Sequence, residues 1–189
     1  MHQLKNRLFL HVSLFLMIAC AAQVTMAPLP QDALRWSQQR PITWDDFLAK
    51  PVDDGQNGSE ILIQSPSFIK KSTLLSKPVC TVDCFMDRRN SWALKSKTND
   101  DLLRYNQVLF NIYELHARKL RREFATASWP LGDPTALFND IGQMNNNELM
   151  TMVQQFRAEY KFSNDKDAVN KWYAKIGLAL SELEEFGTK

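Results

Sequence analysis

The chain has 189 residues, 44% of them hydrophobic, with 23 Lys and Arg against 21 Asp and Glu and a formal net charge of +2. Loss of residues 1–22 would remove Lys5 and Arg7 but no acid, leaving 21 basic and 21 acidic residues. A formally neutral chain gives no support for nucleic-acid binding, which needs a basic stripe to neutralise phosphates, so no nucleic-acid partner is expected.

Lys5 and Arg7 precede an apolar run from Leu8 to Ala19 that ends in small residues. This is the layout of a secretory signal peptide over residues 1–22, and the run is too short for a membrane span. Cleavage after Ala22 would make Gln23 the new N-terminus. Met17-Ile18-Ala19-Cys20 also resembles a bacterial lipobox with Met where Leu is usual, so a lipid anchor at Cys20 is the alternative. Both readings export the protein. Residues 23–189 suit one domain, and no later segment is long and apolar enough to cross a bilayer.

Ala33–Phe47 carries Trp36 and Trp44 on either side of Arg40-Pro41. Pro41 breaks any helix there, and Thr43-x-x-Asp46 can cap a short turn over Trp44–Ala49. The two tryptophans are expected to anchor this arm on the core, with an exposed aromatic platform as the other reading. Val52–Ser59 is a loop with a superficial calcium-loop look, but Gln64 stands where a bidentate Glu would be needed. Asn57-Gly58-Ser59 fits the glycosylation triplet only formally.

Glu60–Lys71 and Val79–Asp87 are the best strands, the first demoted by Pro66 to an edge or broken strand. Alternation puts Cys80, Val82, Cys84 and Met86 on one face. On a straight strand the two cysteines stand about 13 Å apart, too far for a disulfide, so two buried thiols are expected unless Thr81–Asp83 bulges. Trp92–Lys95 completes a small antiparallel sheet.

Thr98–Asp101 caps the strongest helix, Leu102–Arg122. Leu102, Tyr105, Leu109, Ile112, Tyr113, His116 and Leu120 line its apolar face, while Arg104, Asn111, Glu114, Arg118, Arg121 and Arg122 take the opposite side. After a loop at Thr126–Pro134, a short helix is expected over Thr135–Ile141. A second helix, capped by Asn145–Asn147, buries Leu149, Met152, Val153 and Phe156 before ending near Tyr160. The last starts near Asn164–Asp165, buries Val169, Trp172, Tyr173, Ile176, Ala179, Leu180 and Leu183, and is closed by Gly187. The charged runs Arg118–Glu123 and Glu182–Glu185 read as solvated helix surface. The fold class is α+β: a small antiparallel sheet packed with a long central helix and two further C-terminal amphipathic helices.

Trp36-Ser37, Arg40-Pro41-Ile42-Thr43-Trp44-Asp45-Asp46-Phe47, Ser91-Trp92, Gln107, Phe110, Ile112, Glu114 and Ala117–Arg121 follow the motif order of one family. The chain resembles exported bacterial proteins predicted to be zinc peptidases of the HExxH type. Their motifs run W-S-x-x-R-P-L-T-W-D-D-F and then, on a helix, LL-x-HEQ-x-HFDI-x-E-x-x-ARKLR. Lys171–Leu180 is similar to their C-terminal tryptophan helix. In the HExxH arrangement two histidines bind Zn²⁺ from one helical face and the Glu acts as general base. Carried over, those positions are Tyr105, Asn106 and Leu109, and Asn111 stands where the family has Asp. The chain's histidines are His2, His11 and His116, and the first two lie in the leader.

The resemblance therefore implies a periplasmic or outer-membrane-associated protein of a Gram-negative bacterium with no catalytic residue, metal or cofactor. It would be a pseudo-enzyme that binds a protein or peptide. Tyr105, Asn106, Gln107, Leu109 and Asn111 are the vestigial site positions. His116 is the candidate cleft residue, expected as a buried imidazole bonded to a neighbour. Two alternatives stand beside this reading: an enzyme with an unrecognised metal or thiol site, such as Cys80 or Cys84 with His116, and a structural lipoprotein anchored through Cys20.

Overall fold

A 27-residue helix, α1 (Asp100–Thr126), runs through the middle of the molecule, about 40 Å long at the usual rise per residue. The structure is a computed structural model that describes residues 29–52, 57–71, 76–162 and 167–188, the side chains of residues 161 and 162 excepted. The leader, Cys20 and the centre of the calcium-like loop lie outside the described residues. The Asn99 side chain caps α1 by accepting from the Leu102 N–H at 2.8 Å, and Asp100 and Asp101 occupy the first turn, where the helix dipole favours acids.

The periodicity correctly locates α1 but understates its burial. Asn111, Glu114 and Arg118, expected on a solvated side, are buried along with Val108, Phe110, Ile112 and Leu115. Other elements flank the helix on several sides, so it has no wide polar face. Two helices and the strands pack against it.

The first of these helices is α2 (Thr135–Phe162), a single helix of 28 residues. The expected break between Ile141 and Asn145 does not occur. Asn145 does not cap a helix there; its side chain donates to the His116 carbonyl at 3.1 Å. Upstream of the supposed break, Phe138 stacks on Phe124 at 4.9 Å; downstream, Leu149, Val153 and Phe156 are core residues. Burying each large side chain contributes about 1.5–3 kcal/mol, more than the roughly 1 kcal/mol that Gly142 costs inside a helix.

The second, α3 (Ala168–Glu182), buries Val169, Trp172, Ile176 and Leu180 as its spacing predicts, whereas Tyr173 is exposed. A 3₁₀ turn at Glu184–Phe186 follows, so Gly187 ends that turn and not α3.

All strand pairs are antiparallel, but they form three small sheets in place of one. β1 (Ala33–Arg35), β6 (Phe85–Asp87) and β3 (Ile63–Gln64) lie in the order β1-β6-β3, with Met86 opposite both Leu34 and Ile63. β2 (Ser59–Glu60) pairs with β7 (Trp92–Ala93), and β4 (Ser67–Lys70) with β5 (Val79–Val82). Pro66 divides β3 from β4, as expected of a broken strand. Asp83 and Cys84 divide β5 from β6, and through this bend Asp83, Cys84, Phe85 and Met86 are all buried, which a straight alternating strand forbids. Cys84 is buried, Cys80 is half-buried and both are free thiols.

β1, which begins the arm, was not foreseen as a strand. The arm then turns through a 3₁₀ turn at Trp44–Asp46. Asp46 is fully buried there, accepting from the Thr43 N–H at 2.8 Å and from Arg40 at 2.7 Å. The α+β class holds. Among the described residues, no helix is long and apolar enough to cross a membrane.

Candidate functional site

Helical spacing places Tyr105, Asn106 and Leu109 along the N-terminal half of α1, where they line a groove of about 690 Å³. Its other walls come from β2, from Lys97 before α1, and from Arg157 and Tyr160 on α2. The groove is open where the resemblance puts a zinc site, and its chemistry is different. The Tyr105 ring packs against Phe156 at 5.0 Å and Tyr160 at 4.4 Å. Burial pushes its phenol above the ordinary value, while Arg157, hydrogen-bonded to it, opposes that shift. Leu109 is 3% exposed and adds apolar floor.

Asn106 is a structural tie. It is buried and donates to Ser59 Oγ at 2.8 Å and to the Leu102 carbonyl at 2.9 Å. β2 is thereby fixed to the helix. Beside it, Trp92 Nε1 donates to the Glu60 carboxylate at 3.1 Å. Two cations stand at the rim, Arg157, hydrogen-bonded to Tyr105, and Lys97, which donates to the Asn57 carbonyl at 3.4 Å.

Gln107 and Asn111, the other two candidate site positions, do not line this groove. Gln107 Oε1 accepts from the Ile42 N–H at 2.8 Å, and Asn111 Oδ1 accepts from both Trp36 Nε1 and Gln107 Nε2 at 2.8 Å. Together they hold the arm against α1 and border a separate cavity of about 290 Å³. Trp36 thus anchors the arm as expected, and the Arg118 guanidinium lies 5.0 Å from its ring centroid.

His116 departs from expectation in two ways. It is 1% exposed, yet neither ring nitrogen has a hydrogen-bond partner among the described residues. It also lines a third cavity, of about 450 Å³, which shares no lining residue with the Tyr105 groove. Burial, helped by Lys119 and opposed by Glu148, lowers its pKa to about 4, so the ring is neutral with one donor and one acceptor. Each buried group left unpaired costs about 1–3 kcal/mol.

No family model matches the chain, and no curated protein or solved structure matches it either.

Among the described residues no three of His, Cys, Asp and Glu cluster as metal ligands would. Burial pushes the Cys80 thiol up to about 11 and Cys84 well above its ordinary value, with Glu114 adding to the Cys84 shift. No hydrogen bond among the described residues joins either thiol to His116. The described residues thus form an open groove with an aromatic wall and two cationic side chains at its rim, while burial holds both thiols, which do not line it, in the protonated form.

The sequence reading missed one polar cluster altogether. Glu114 Oε1 accepts from Arg118 Nε and Arg121 at 3.0 Å each. Arg118 also donates to the Leu180 carbonyl at 2.7 Å, and Arg121 to the Phe186 and Val82 carbonyls at 2.9 and 3.1 Å. These arginines are not solvated surface; they tie the end of α3, the turn after it and the β5-to-β6 bend to α1. A Cβ on Gly187 would lie 3.3 Å from the Arg118 guanidinium, so the small residue admits that close approach. The i,i+4 spacing of Glu114 and Arg118 was the available signal, but the same spacing marks ordinary exposed pairs.

Proposed function

We propose that this protein is an exported, non-catalytic relative of the HExxH zinc-peptidase-like proteins, acting in the cell envelope by holding an extended peptide beside Tyr105. The observation that carries this reading is the open groove at the three positions the zinc motif would occupy. Tyr105 and Leu109 offer apolar contact area, and Asn106 braces the β2 wall. Arg157 and Lys97 favour a peptide with acidic side chains or a free carboxylate, while Glu60 is already engaged by Trp92.

Export is part of the proposal. N-terminal mass analysis of the protein from its native envelope distinguishes its two forms: a Gln23 terminus supports cleavage, an acylated Cys20 supports the anchor, and an intact Met1 contradicts both.

The binding test is a titration of the full chain with labelled peptides of about ten residues, acidic, neutral and basic, long enough to cross a groove of this size. Saturable binding that favours the acidic set, and that falls at least about tenfold in Tyr105→Ala and Arg157→Ala, is expected for groove contacts of this kind. Binding unchanged in both variants would remove the groove from the proposal. Stoichiometric, tightly held zinc, or peptide recovered cleaved, would restore the enzyme reading.

A further inference from the structure

The cavity of about 290 Å³ bordered by Gln107 and Asn111 lies between the N-terminal arm, α1 and α3, and it shares no lining residue with the Tyr105 groove. The hydrogen bonds that tie the arm down also orient the side chain at its floor. Asn111 is 6% exposed, and its Oδ1 accepts from both Trp36 Nε1 and Gln107 Nε2 at 2.8 Å. Two donors converging on one atom identify that atom as the oxygen, so the other branch of the side chain is the N–H2. Asn111 Nδ2 donates to no described residue. Nor is it sealed from solvent without a partner, as the His116 nitrogens are, so it reaches accessible space, and this cavity is the space that Asn111 lines. An N–H2 on an almost wholly buried side chain with nothing to donate to calls for an acceptor.

The walls narrow what can supply it. Trp36, Pro41, Tyr173 and Leu180 present apolar surface, and no Asp, Glu, Lys or Arg among the described residues lines the cavity. An ionised acceptor would lose its hydration there without meeting a counter-charge, which is costly. Both rings are held from outside the lining, Trp36 by the Arg118 guanidinium at 5.0 Å from its centroid and Tyr173 by that of Arg104 at 5.6 Å. Gly177 keeps the α3 side open. Glycine is unfavourable inside a helix, yet packing does not demand it here, since a Cβ would meet nothing within 4 Å. What its missing side chain does is leave room in the cavity it lines.

At the floor the acceptors are already in use: Asn111 Oδ1 takes two donors and Gln107 Oε1 takes the Ile42 N–H. A lone donor among apolar walls suits a ligand that brings a neutral carbonyl and no N–H beside it that needs a partner. A proline residue meets both conditions, because its ring is apolar, its nitrogen bears no hydrogen, and the amide carbonyl before it is a strong acceptor. Aromatic-lined grooves take proline-rich segments in the extended polyproline conformation on the same physical grounds. We propose that this cavity docks a proline-containing segment of another protein, the carbonyl before the proline accepting from Asn111 Nδ2 and the pyrrolidine ring packing on Trp36 and Tyr173. The cavity and the Tyr105 groove are separate, so the outcome of the acidic-peptide titration neither supports nor removes this inference.

The experiment titrates the full chain with a short, end-blocked Ala-Pro repeat peptide and with its counterpart in which every Pro is replaced by Ala. Binding is read by NMR from the side-chain amide resonances of Asn111, identified as the pair that disappears in Asn111→Asp. The Ala-Pro peptide is expected to shift that pair saturably, and its all-Ala counterpart to bind at least about tenfold more weakly, since it leaves amide N–H groups unpaired against the apolar walls. Asn111→Asp keeps an oxygen for Trp36 Nε1 and Gln107 Nε2 but turns the free donor into an acceptor. Gly177→Leu fills the cavity with a residue that favours the helix, so it retains the fold and decides the matter if Asn111→Asp does not fold. Each variant should weaken the Ala-Pro peptide at least about tenfold, read by fluorescence anisotropy of the labelled peptide. An excess of the acidic peptide used for the groove should not displace it. No saturable shift at Asn111, equal binding of the all-Ala counterpart, displacement by the acidic peptide, or unchanged affinity in Gly177→Leu would overturn the inference.

Discussion

Burial decides the protonation of His116. The folded chain holds its pKa near 4 against the ordinary 6.5, so between those values the unfolded chain binds a proton that the folded chain does not. Stability is then complete above pH 6.5 and declines as the pH falls from about 6.5 towards about 4, by at most about 3 kcal/mol for a shift of this size. Chemical unfolding across that window should show the decline in the native sequence and a smaller one in His116→Phe; equal slopes would contradict it. The thiols follow the same reasoning with opposite sign, because desolvation disfavours the thiolate. Alkylation of Cys84 in the native state at neutral pH should be far slower than in denaturant, and rapid native labelling would contradict its burial. Spacing alone places Tyr105 and Leu109 on one face of the helix, and Asn106 joins them only through the resemblance. The sequence cannot show that His116, at a compatible spacing, lines another cavity, because the intervening walls come from α2 and from Ser65 and Ser67.

At the level of elements, local signals were reliable where local energies dominate. Asn99 caps α1, Pro66 breaks a strand, and the apolar spacing of α3 predicts its buried face. They failed where distant packing outweighs them. Asn145–Asn147 reads as the cap of a new helix, yet Phe138 on one side and Phe156 on the other both pack in the core, which carries the helix through. Gly142→Ala should therefore stabilise the protein by about 0.5–1 kcal/mol, since a Cβ there meets nothing within 4 Å. A neutral or destabilising result in thermal unfolding would argue for a break at that position. Glu114, Arg118 and Arg121 carry the letters of a solvated helix face, but their partners at Leu180, Phe186 and Val82 lie 39 or more residues away in sequence. Glu114→Ala strips both arginines of their shared carboxylate and should cost about 3–5 kcal/mol, as expected when one member of a buried ionic cluster is removed. A denaturant midpoint within experimental error of the native one would show the cluster to be dispensable.

Across the whole molecule, α1 is the scaffold on which the other elements and the groove are arranged. Its C-terminal half gathers the ends of other elements through arginines, its middle holds the N-terminal arm through Gln107 and Asn111, and its N-terminal half opens onto the groove. The α+β class was legible from the helix pattern and the short strands. The division of one expected sheet into three was not, because the bend at Asp83 and Cys84 is set by tertiary pairing: the Asp83 N–H donates to the Pro66 carbonyl at 3.0 Å. The five candidate site positions likewise look like one site in sequence but divide in space between the groove and the anchoring of the N-terminal arm. That division gives the proposed function its sharpest test. Titrate the full chain with an acidic peptide of about ten residues, a length that spans a groove of this volume, and weigh the peptide by mass spectrometry at the end. Saturable binding that Arg157→Ala weakens, with the peptide recovered intact, is the predicted result; a cleaved peptide, or binding indifferent to Arg157, would contradict a non-catalytic peptide groove beside Tyr105.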